Sequence, residues 1–147
     1  MIREIEYEEL KKASEVLWKS FYDAEKHIHS MSGMERFRDL VDPVSLSINT
    51  FDGAVQLFGY FEENDLLAVG AVKDQKHILM LYVLPSVQKS GIGKKMLFLL
   101  ESKCKTDCIT VNSSDVGVSF YERFGYKVCG NRNEEDGLIS TPMKKLL

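Results

Sequence analysis

Apolar side chains recur every three or four positions through residues 10–28, which is the spacing of one buried helix face. The six residues at the N-terminus read as a short strand. Ser32 followed by Glu35 resembles a capping box and predicts the start of a second helix, which Asp42 and Pro43 should stop. Residues 44–54 show no clear period, so we predict a loop there.

Three strands are predicted in a row at Val55–Glu62, Leu66–Lys73 and His77–Leu84. Only three polar residues separate each pair, so the strands should be antiparallel neighbours joined by hairpins. The third strand is apolar on both faces, which is typical of a strand covered on both sides.

The rest of the chain alternates helices and strands. We predict a helix from Ile92, a short strand at Cys108–Asn112, a helix from about Asp115 to Gly125, and strands at Tyr126–Gly130 and Leu138–Lys145. This order predicts an α+β fold with α/β/α layers, about seven strands and about four helices. No linker or repeat is visible, so residues 1–147 should form one domain.

Charge is unevenly distributed along the 147 residues, whose net charge is −3. Residues 1–65 carry 7 basic and 14 acidic side chains, whereas residues 66–147 carry 12 and 8. The total argues against a nucleic-acid partner, and the basic half is where an anion should bind. The acidic half is compatible with attracting a cationic amine.

Cysteine usage and the N-terminal residues point to a cytoplasmic protein. The three cysteines are too few for a disulfide framework, and Cys104 and Cys108 lack the spacing of a zinc site. His27 and His29 point in two directions on a helix and have no third ligand, so no metal is expected. No run is apolar and long enough for a signal peptide or a membrane span.

One segment carries recognisable chemistry: a buried strand runs into a glycine-containing loop and then directly into a helix. Gly91 and Gly93 would let an anion approach the unpaired N–H groups of the first helical turn, and Lys89 and Lys94 add positive charge. The alternative is that both glycines only shape the start of the helix. A Walker loop is excluded because it would need glycine at Gln88.

Gln88, Gly91 and Gly93 after a Leu-Tyr-Val-x-Pro strand resemble the pyrophosphate-binding motif of the GCN5-related N-acetyltransferase (GNAT) superfamily. A second match is the Tyr121-x-x-x-Gly125-Tyr126 segment, about thirty residues further on. The predicted order of elements fits the GNAT fold along essentially the whole chain.

The resemblance implies an acyl-CoA, usually acetyl-CoA, in a splay between the fourth and fifth strands. The pantetheine arm would pair with the backbone near Leu81 and Val83, with an oxyanion donor at a bulge near the same residues. The residues implied to bind the cofactor are Leu81, Val83, Gln88, Lys89, Ser90, Gly91, Ile92, Gly93, Lys94, Asn112 and Tyr121.

Tyr121 is the catalytic residue that the resemblance implies, since its hydroxyl would protonate the departing thiolate. The alternative is that Tyr121 only packs its helix against the sheet. However, Phe120 and Phe124, four residues apart, should form the core pair and leave Tyr121 on another face of the helix. Asn112 could contact the cofactor or cap the next helix. Candidate bases near strand ends are Glu62, Glu63, Asp74 and His77, and a water relay is also open.

These expectations describe an acyl-CoA-dependent N-acyltransferase that transfers acetyl directly to a primary amine in a ternary complex. The alternative is a non-catalytic acyl-CoA-binding sensor or partner module on the same fold. The acceptor is a small molecule or a peptide, with no nucleic acid and no membrane involved, and the protein is a monomer or homodimer. Residues Phe21 to Val41 should contribute to acceptor choice, although core packing explains their apolar side chains equally well.

Overall fold

The computed structural model describes all 147 residues and is built around one mixed sheet. Its strands are β1 (Ile2–Glu4), β2 (Val55–Glu62), β3 (Asp65–Lys73), β4 (His77–Val83), β5 (Cys108–Ser113), β6 (Lys127–Val128), β7 (Asn133–Glu135) and β8 (Leu138–Leu146). The order across the sheet is β1-β2-β3-β4-β5-β8-β6, and β7 pairs with β8. Only β4 and β5 are parallel; every other pair is antiparallel.

Five helices cover the two faces of this sheet. They are α1 (Leu10–Glu25), α2 (Met31–Leu40), α3 (Pro43–Thr50), α4 (Ile92–Ser102) and α5 (Val118–Arg123). The predicted α+β class and mixed sheet are confirmed, with eight strands and five helices where about seven and about four were expected. No helix has the length and apolar character needed to cross a membrane.

Two helix boundaries differ from the sequence-based expectation. Ser30, rather than Ser32, caps α2, because its side chain accepts the Gly33 N–H. Asp42 and Pro43 do stop α2 but also start α3: Asp42 accepts the Val44 N–H, and Pro43 occupies the first turn, where its missing N–H has no intrahelical partner to lose. The loop predicted for residues 44–54 is therefore wrong.

The hydrophobic core has two parts, one on each face of the sheet. Residues of α1, α2 and α3 pack on one face, with Leu17 and Phe21 almost completely buried. On the other face α4 is buried through Met96, Leu97 and Leu100. Helices therefore cover β3 and β4 on both sides, which explains their nearly continuous apolar sequences.

Candidate active site

β4 and β5 separate after a short paired stretch, and this separation creates the main cleft of the molecule. Only His77 with Thr110 and Ile78 with Val111 are paired between the two strands. Beyond them a cleft of about 750 Å³ opens between β4, the start of α4 and the segment from β5 to α5. The splay between the fourth and fifth strands, which the family resemblance implies, is thus present.

The start of α4 faces this cleft through Gly91. Gly91 has a φ of +85°, in the left-handed region that glycine adopts without strain, and a Cβ built there would have no atom within 4 Å. A ligand can therefore approach the backbone closely. Because α4 begins at Ile92, the N–H groups of its first turn have no intrahelical partners and lie at the positive end of the helix dipole.

Gly93 serves a different purpose from Gly91. A Cβ built at Gly93 would lie 3.3 Å from Phe120 Cε1, so this glycine lets α4 pack closely against α5. Sequence reasoning left open whether the two glycines bind an anion or shape the start of the helix. The structure separates them: Gly91 leaves open space beside the cleft, and Gly93 makes room for a neighbouring ring.

Polar groups of the loop before α4 surround the same opening. Lys89, Lys94 and Gln88 line the cleft, and the Gln88 amide donates a 3.1 Å hydrogen bond to the carbonyl of Val83. This bond holds the loop against the end of β4. Two lysine charges beside free N–H groups form an arrangement suited to phosphate oxygens.

Tyr121 lies on the opposite wall of the cleft, on α5. Its ring is buried, with 6% of the residue exposed, and its hydroxyl makes no hydrogen bond with another protein group. Burial, together with the negative charge of Glu25, raises the pKa of the Tyr121 hydroxyl, which therefore stays protonated at neutral pH. A proton donor without a protein partner is consequently available at the cleft wall.

The packing around Tyr121 differs from the expectation. Phe120 and Phe124 do meet, with ring centroids 5.1 Å apart, but both are only half-buried and line the cleft. Tyr121 is the most buried of the three, and its ring packs edge-on against both Phe120 and Tyr126. The two phenylalanines therefore pair as predicted and pack against the edge of the core, but Tyr121, which was expected on another face, is the buried residue of α5.

The other predicted site residues fall into two groups. Leu81, Val83 and Asn112 line the cleft, whereas Ser90, Ile92 and Gly93 do not contribute to its lining. Ile92 is buried in the core at the base of α4. Asn112 does not cap the following helical segment, whose N-cap is Ser114, so the capping alternative fails.

The bulge in β4 lies earlier than expected. Ile78 pairs with Val72 and Met80 pairs with Ala71, which leaves Leu79 as the extra residue. Leu81 pairs regularly with Gly70, so the bulge expected near Leu81 and Val83 is misplaced by at least two residues. The irregular backbone lies immediately past the last pair that joins β4 to β5.

A second cavity of about 450 Å³ adjoins the cleft on the α1 side of the sheet and shares Leu79, Met80, Tyr82, Asn112 and Ser114 with it. Of the predicted bases, His77 lines this second cavity, and Glu62, Glu63 and Asp74 line neither space. His77 Nδ1 contacts Thr110 Oγ1, and burial lowers the His77 pKa.

Sequence reasoning missed Glu25, the buried carboxylate of the second cavity. Its two oxygens lie 2.8 Å from Tyr82 Oη and 2.8 Å from His29 Nε2. A readable signal exists, since Glu25 and His29 are four residues apart and such pairs meet at the end of a helix. The partner Tyr82, 57 positions away, is invisible to local patterns.

The protein has a small α+β fold. Its cleft has a helix N-terminus on one wall and a buried tyrosine on the facing wall. The sequence model described as an acetyltransferase (GNAT) domain matches residues 19–147. The chain therefore belongs to the GNAT acetyltransferase family. No curated protein sequence matches it.

Solved structures with similar folds span the whole chain. A GCN5-related N-acetyltransferase from Rhodopseudomonas palustris is 20% identical, with a TM-score of 0.87, 100% of this chain covered and 95% of the other. The PaiA N-acetyltransferase from Thermoplasma acidophilum, solved in complex with coenzyme A, is 22% identical, with a TM-score of 0.82 and coverages of 100% and 98%. A ribosomal-protein-alanine N-acetyltransferase from Brucella melitensis is 14% identical, with a TM-score of 0.70 and coverages of 100% and 99%. At these identities the likeness concerns the fold.

Proposed function

We propose that this protein is an N-acetyltransferase in which residues 1–147 form a single catalytic domain and acetyl-CoA is the donor. The observation that carries the proposal is the pairing, across one cleft, of the open helix start at Gly91 with the unpartnered hydroxyl of Tyr121. The first feature suits a pyrophosphate and the second suits a leaving thiolate. A family relative with coenzyme A bound is consistent with this assignment.

In the proposed complex, the N–H groups at the start of α4 and the side chains of Lys89 and Lys94 bind the pyrophosphate. The pantetheine arm lies along β4, where the missing β5 partner leaves backbone groups free beyond Ile78. The irregular backbone at Leu79 places an N–H outside the regular ladder, and this group is our candidate for the oxyanion donor.

The chemistry is direct transfer within a ternary complex. The acceptor amine attacks the thioester carbonyl carbon, the C–S bond breaks, and Tyr121 donates its proton to the departing thiolate sulfur. None of the three free cysteines lines the cleft, so no cysteine is placed to carry the acetyl group. Tyr121 also distinguishes this proposal from a non-catalytic sensor, which has no use for a proton donor at the thioester.

Calorimetric titration with acetyl-CoA, with CoA lacking the acetyl group and with ATP tests the donor site. Micromolar binding of both CoA species, and thiol release when an amine is added, are expected. Binding without thiol release from any amine would favour the sensor. Absence of binding to every CoA species would contradict the proposal.

A further inference from the structure

The second cavity, on the α1 side of the sheet, has an apolar wall. Phe21 and Phe37, which are buried in the core, stack with ring centroids 3.7 Å apart and support this wall from behind, and the half-buried Tyr82 ring meets Phe37 edge-on at 5.5 Å. Met80 and Tyr82 border both this cavity and the cleft. A molecule in the cavity would therefore rest an apolar body on Leu79, Met80 and the Tyr82 ring while its end reaches the cleft.

Glu25 supplies a negative charge at the wall of this cavity although its side chain is only 2% exposed. The Tyr82 hydroxyl donates to Glu25 Oε2, and His29 Nε2 contacts Glu25 Oε1. The Ile139 N–H donates a 3.0 Å hydrogen bond to His29 Nδ1, so that nitrogen holds a lone pair and the ring proton lies on Nε2. Glu25 therefore accepts both hydrogen bonds, as a carboxylate does.

This carboxylate has neutral donors around it and no lysine or arginine in contact. The ion pairs of the chain give Glu25 no partner other than His29, whose Nδ1 is occupied as an acceptor. A buried negative charge without a counter-charge is unfavourable, and a cation entering the cavity would relieve it. Burial also raises the Glu25 pKa above its ordinary value, which suits a group that must accept a proton.

Resting on the acyl transfer proposed above, we propose that the acceptor is a primary amine attached to an apolar, ring-sized body and that Glu25, through the Tyr82 hydroxyl, takes the proton the ammonium must lose. The ammonium passes one proton to Tyr82 Oη while the Tyr82 proton moves to Glu25 Oε2. The free amine then forms the C–N bond as the C–S bond breaks. The nitrogen loses its second proton as the amide forms, and this proton restores the hydroxyl of Tyr121, whose own proton has gone to the thiolate.

The side chain of His29 is a positioning group in this scheme. Its Nε2–H fixes one oxygen of Glu25, and its Nδ1 is held by the backbone of β8, so the carboxylate is tied to α1, β4 and β8 together. Other charged or titratable groups face the same space and contribute to its field. They are Arg36, Lys73, His77 and Glu135 on the cavity wall, with Asp115 and Tyr121 close enough to interact with Glu25.

A matched pair of acceptors tests the proton transfer. The first, 2-phenylethylamine, is an ammonium at neutral pH; the second, 2,2-difluoro-2-phenylethylamine, has the same shape but is largely unprotonated, because fluorine withdraws electrons. We expect Glu25→Gln to lower kcat/KM for the first amine by about 100-fold and for the second by less than about 5-fold. Loss of a merely structural group would lower both equally.

The chain offers a control in a second Tyr–Glu pair outside both cavities, where the hydroxyl of the buried Tyr126 donates to the partly buried Glu101 2.7 Å away and Lys145 also contacts the same carboxylate. Glu101→Gln should leave both rates unchanged. If Glu25→Gln does not fold, Tyr82→Phe retains the ring, removes the hydroxyl and should show the same selective loss. Folding and the donor site are checked by thermal unfolding and acetyl-CoA titration of each variant.

The outcomes are separable. Equal loss on both amines for Glu25→Gln and Tyr82→Phe would overturn the proton-transfer role. A wild-type protein that binds acetyl-CoA but acetylates neither amine would overturn the acceptor class and leave the proposed function standing. If acetyl-CoA itself does not bind, both proposals fall.

Discussion

His77 Nδ1 lies 2.7 Å from Thr110 Oγ1, across one of the two residue pairs that join β4 to β5. This contact therefore stands at the closed end of the cleft, beside the point where the strands separate. Burial, followed by the positive charge of Lys73, lowers the pKa of His77 below its ordinary value. We therefore expect a change of pH to act on the closed end of the cleft.

We expect acid to weaken the fold through His77. Because the unfolded chain binds this proton more readily, the free energy of unfolding should fall as pH drops below 6.5, the ordinary histidine value. The His77→Asn variant has no titratable side chain at this position, while its amide can make the contact with Thr110 that Nδ1 makes in the wild type. Urea unfolding from about pH 8 to about pH 5 should show wild type losing more stability than the variant; parallel curves would contradict the assignment.

Replacing Gly91 should weaken CoA binding. Gly91→Leu fills the open space at the start of α4, so we expect affinity for CoA to fall at least about 10-fold by calorimetry. Gly53 is the matched control, since its φ is +80° and a Cβ there also meets no atom within 4 Å. Both leucine variants should lose about 1 kcal/mol of stability from the left-handed backbone, but Gly53→Leu should bind CoA normally.

Removing the Tyr121 hydroxyl should slow transfer without affecting the donor. We expect Tyr121→Phe to lower kcat about 100-fold with 2-phenylethylamine, because the thiolate loses its proton donor, while acetyl-CoA affinity stays within about 2-fold. Tyr126→Phe, which deletes a hydroxyl bonded to Glu101, serves as the control and should retain its kcat. Full activity of Tyr121→Phe across the pH range would show that another group protonates the thiolate.

Ser20→Ala should stabilise the protein. Ser20 Oγ is the one buried side-chain polar atom without a hydrogen-bond partner, and its residue is 1% exposed within α1. Deleting an unpaired buried hydroxyl and introducing a better helix former should raise the free energy of unfolding by about 1 kcal/mol. Ser102→Ala, at an exposed position, is the control in urea unfolding; a destabilised Ser20→Ala would mean that the hydroxyl has a partner.

Most of the fold could be predicted because the strands of the sheet and the turns between them are recognisable from short stretches of sequence. The strands β2, β3 and β4 are separated by short polar turns, and Gly125, with a φ of +96°, ends α5 as its position suggests. The helix α3 could not be recognised by periodicity because Leu46 is its only buried residue. The start of α3 was nevertheless recognisable from Asp42 and Pro43, a pair that ends one helix and begins the next.

The candidate site was predictable to the extent that it is contiguous in sequence. The loop from Gln88 to Lys94 carries its own glycines and lysines, so its chemistry can be read directly. Glu25 could not be recognised, because what makes it unusual is burial against Tyr82 and His29, and only the tertiary structure brings β4 to α1. Likewise, the bulge at Leu79 depends on register with β3, which no local pattern encodes.

The short pairing between β4 and β5 has a consequence for how the molecule opens. The sheet consists of two blocks, β1 to β4 and β5 to β8, whose backbones share only two rungs. Few main-chain hydrogen bonds join the blocks, such as that from the Thr110 N–H to the Lys76 carbonyl, and the side chains packed under α4 contribute much of the remaining contact. The seam should therefore open at a lower free energy than that needed to unfold either block. A ligand lying along the seam would act as a missing strand and make the two blocks exchange their amide hydrogens as one unit.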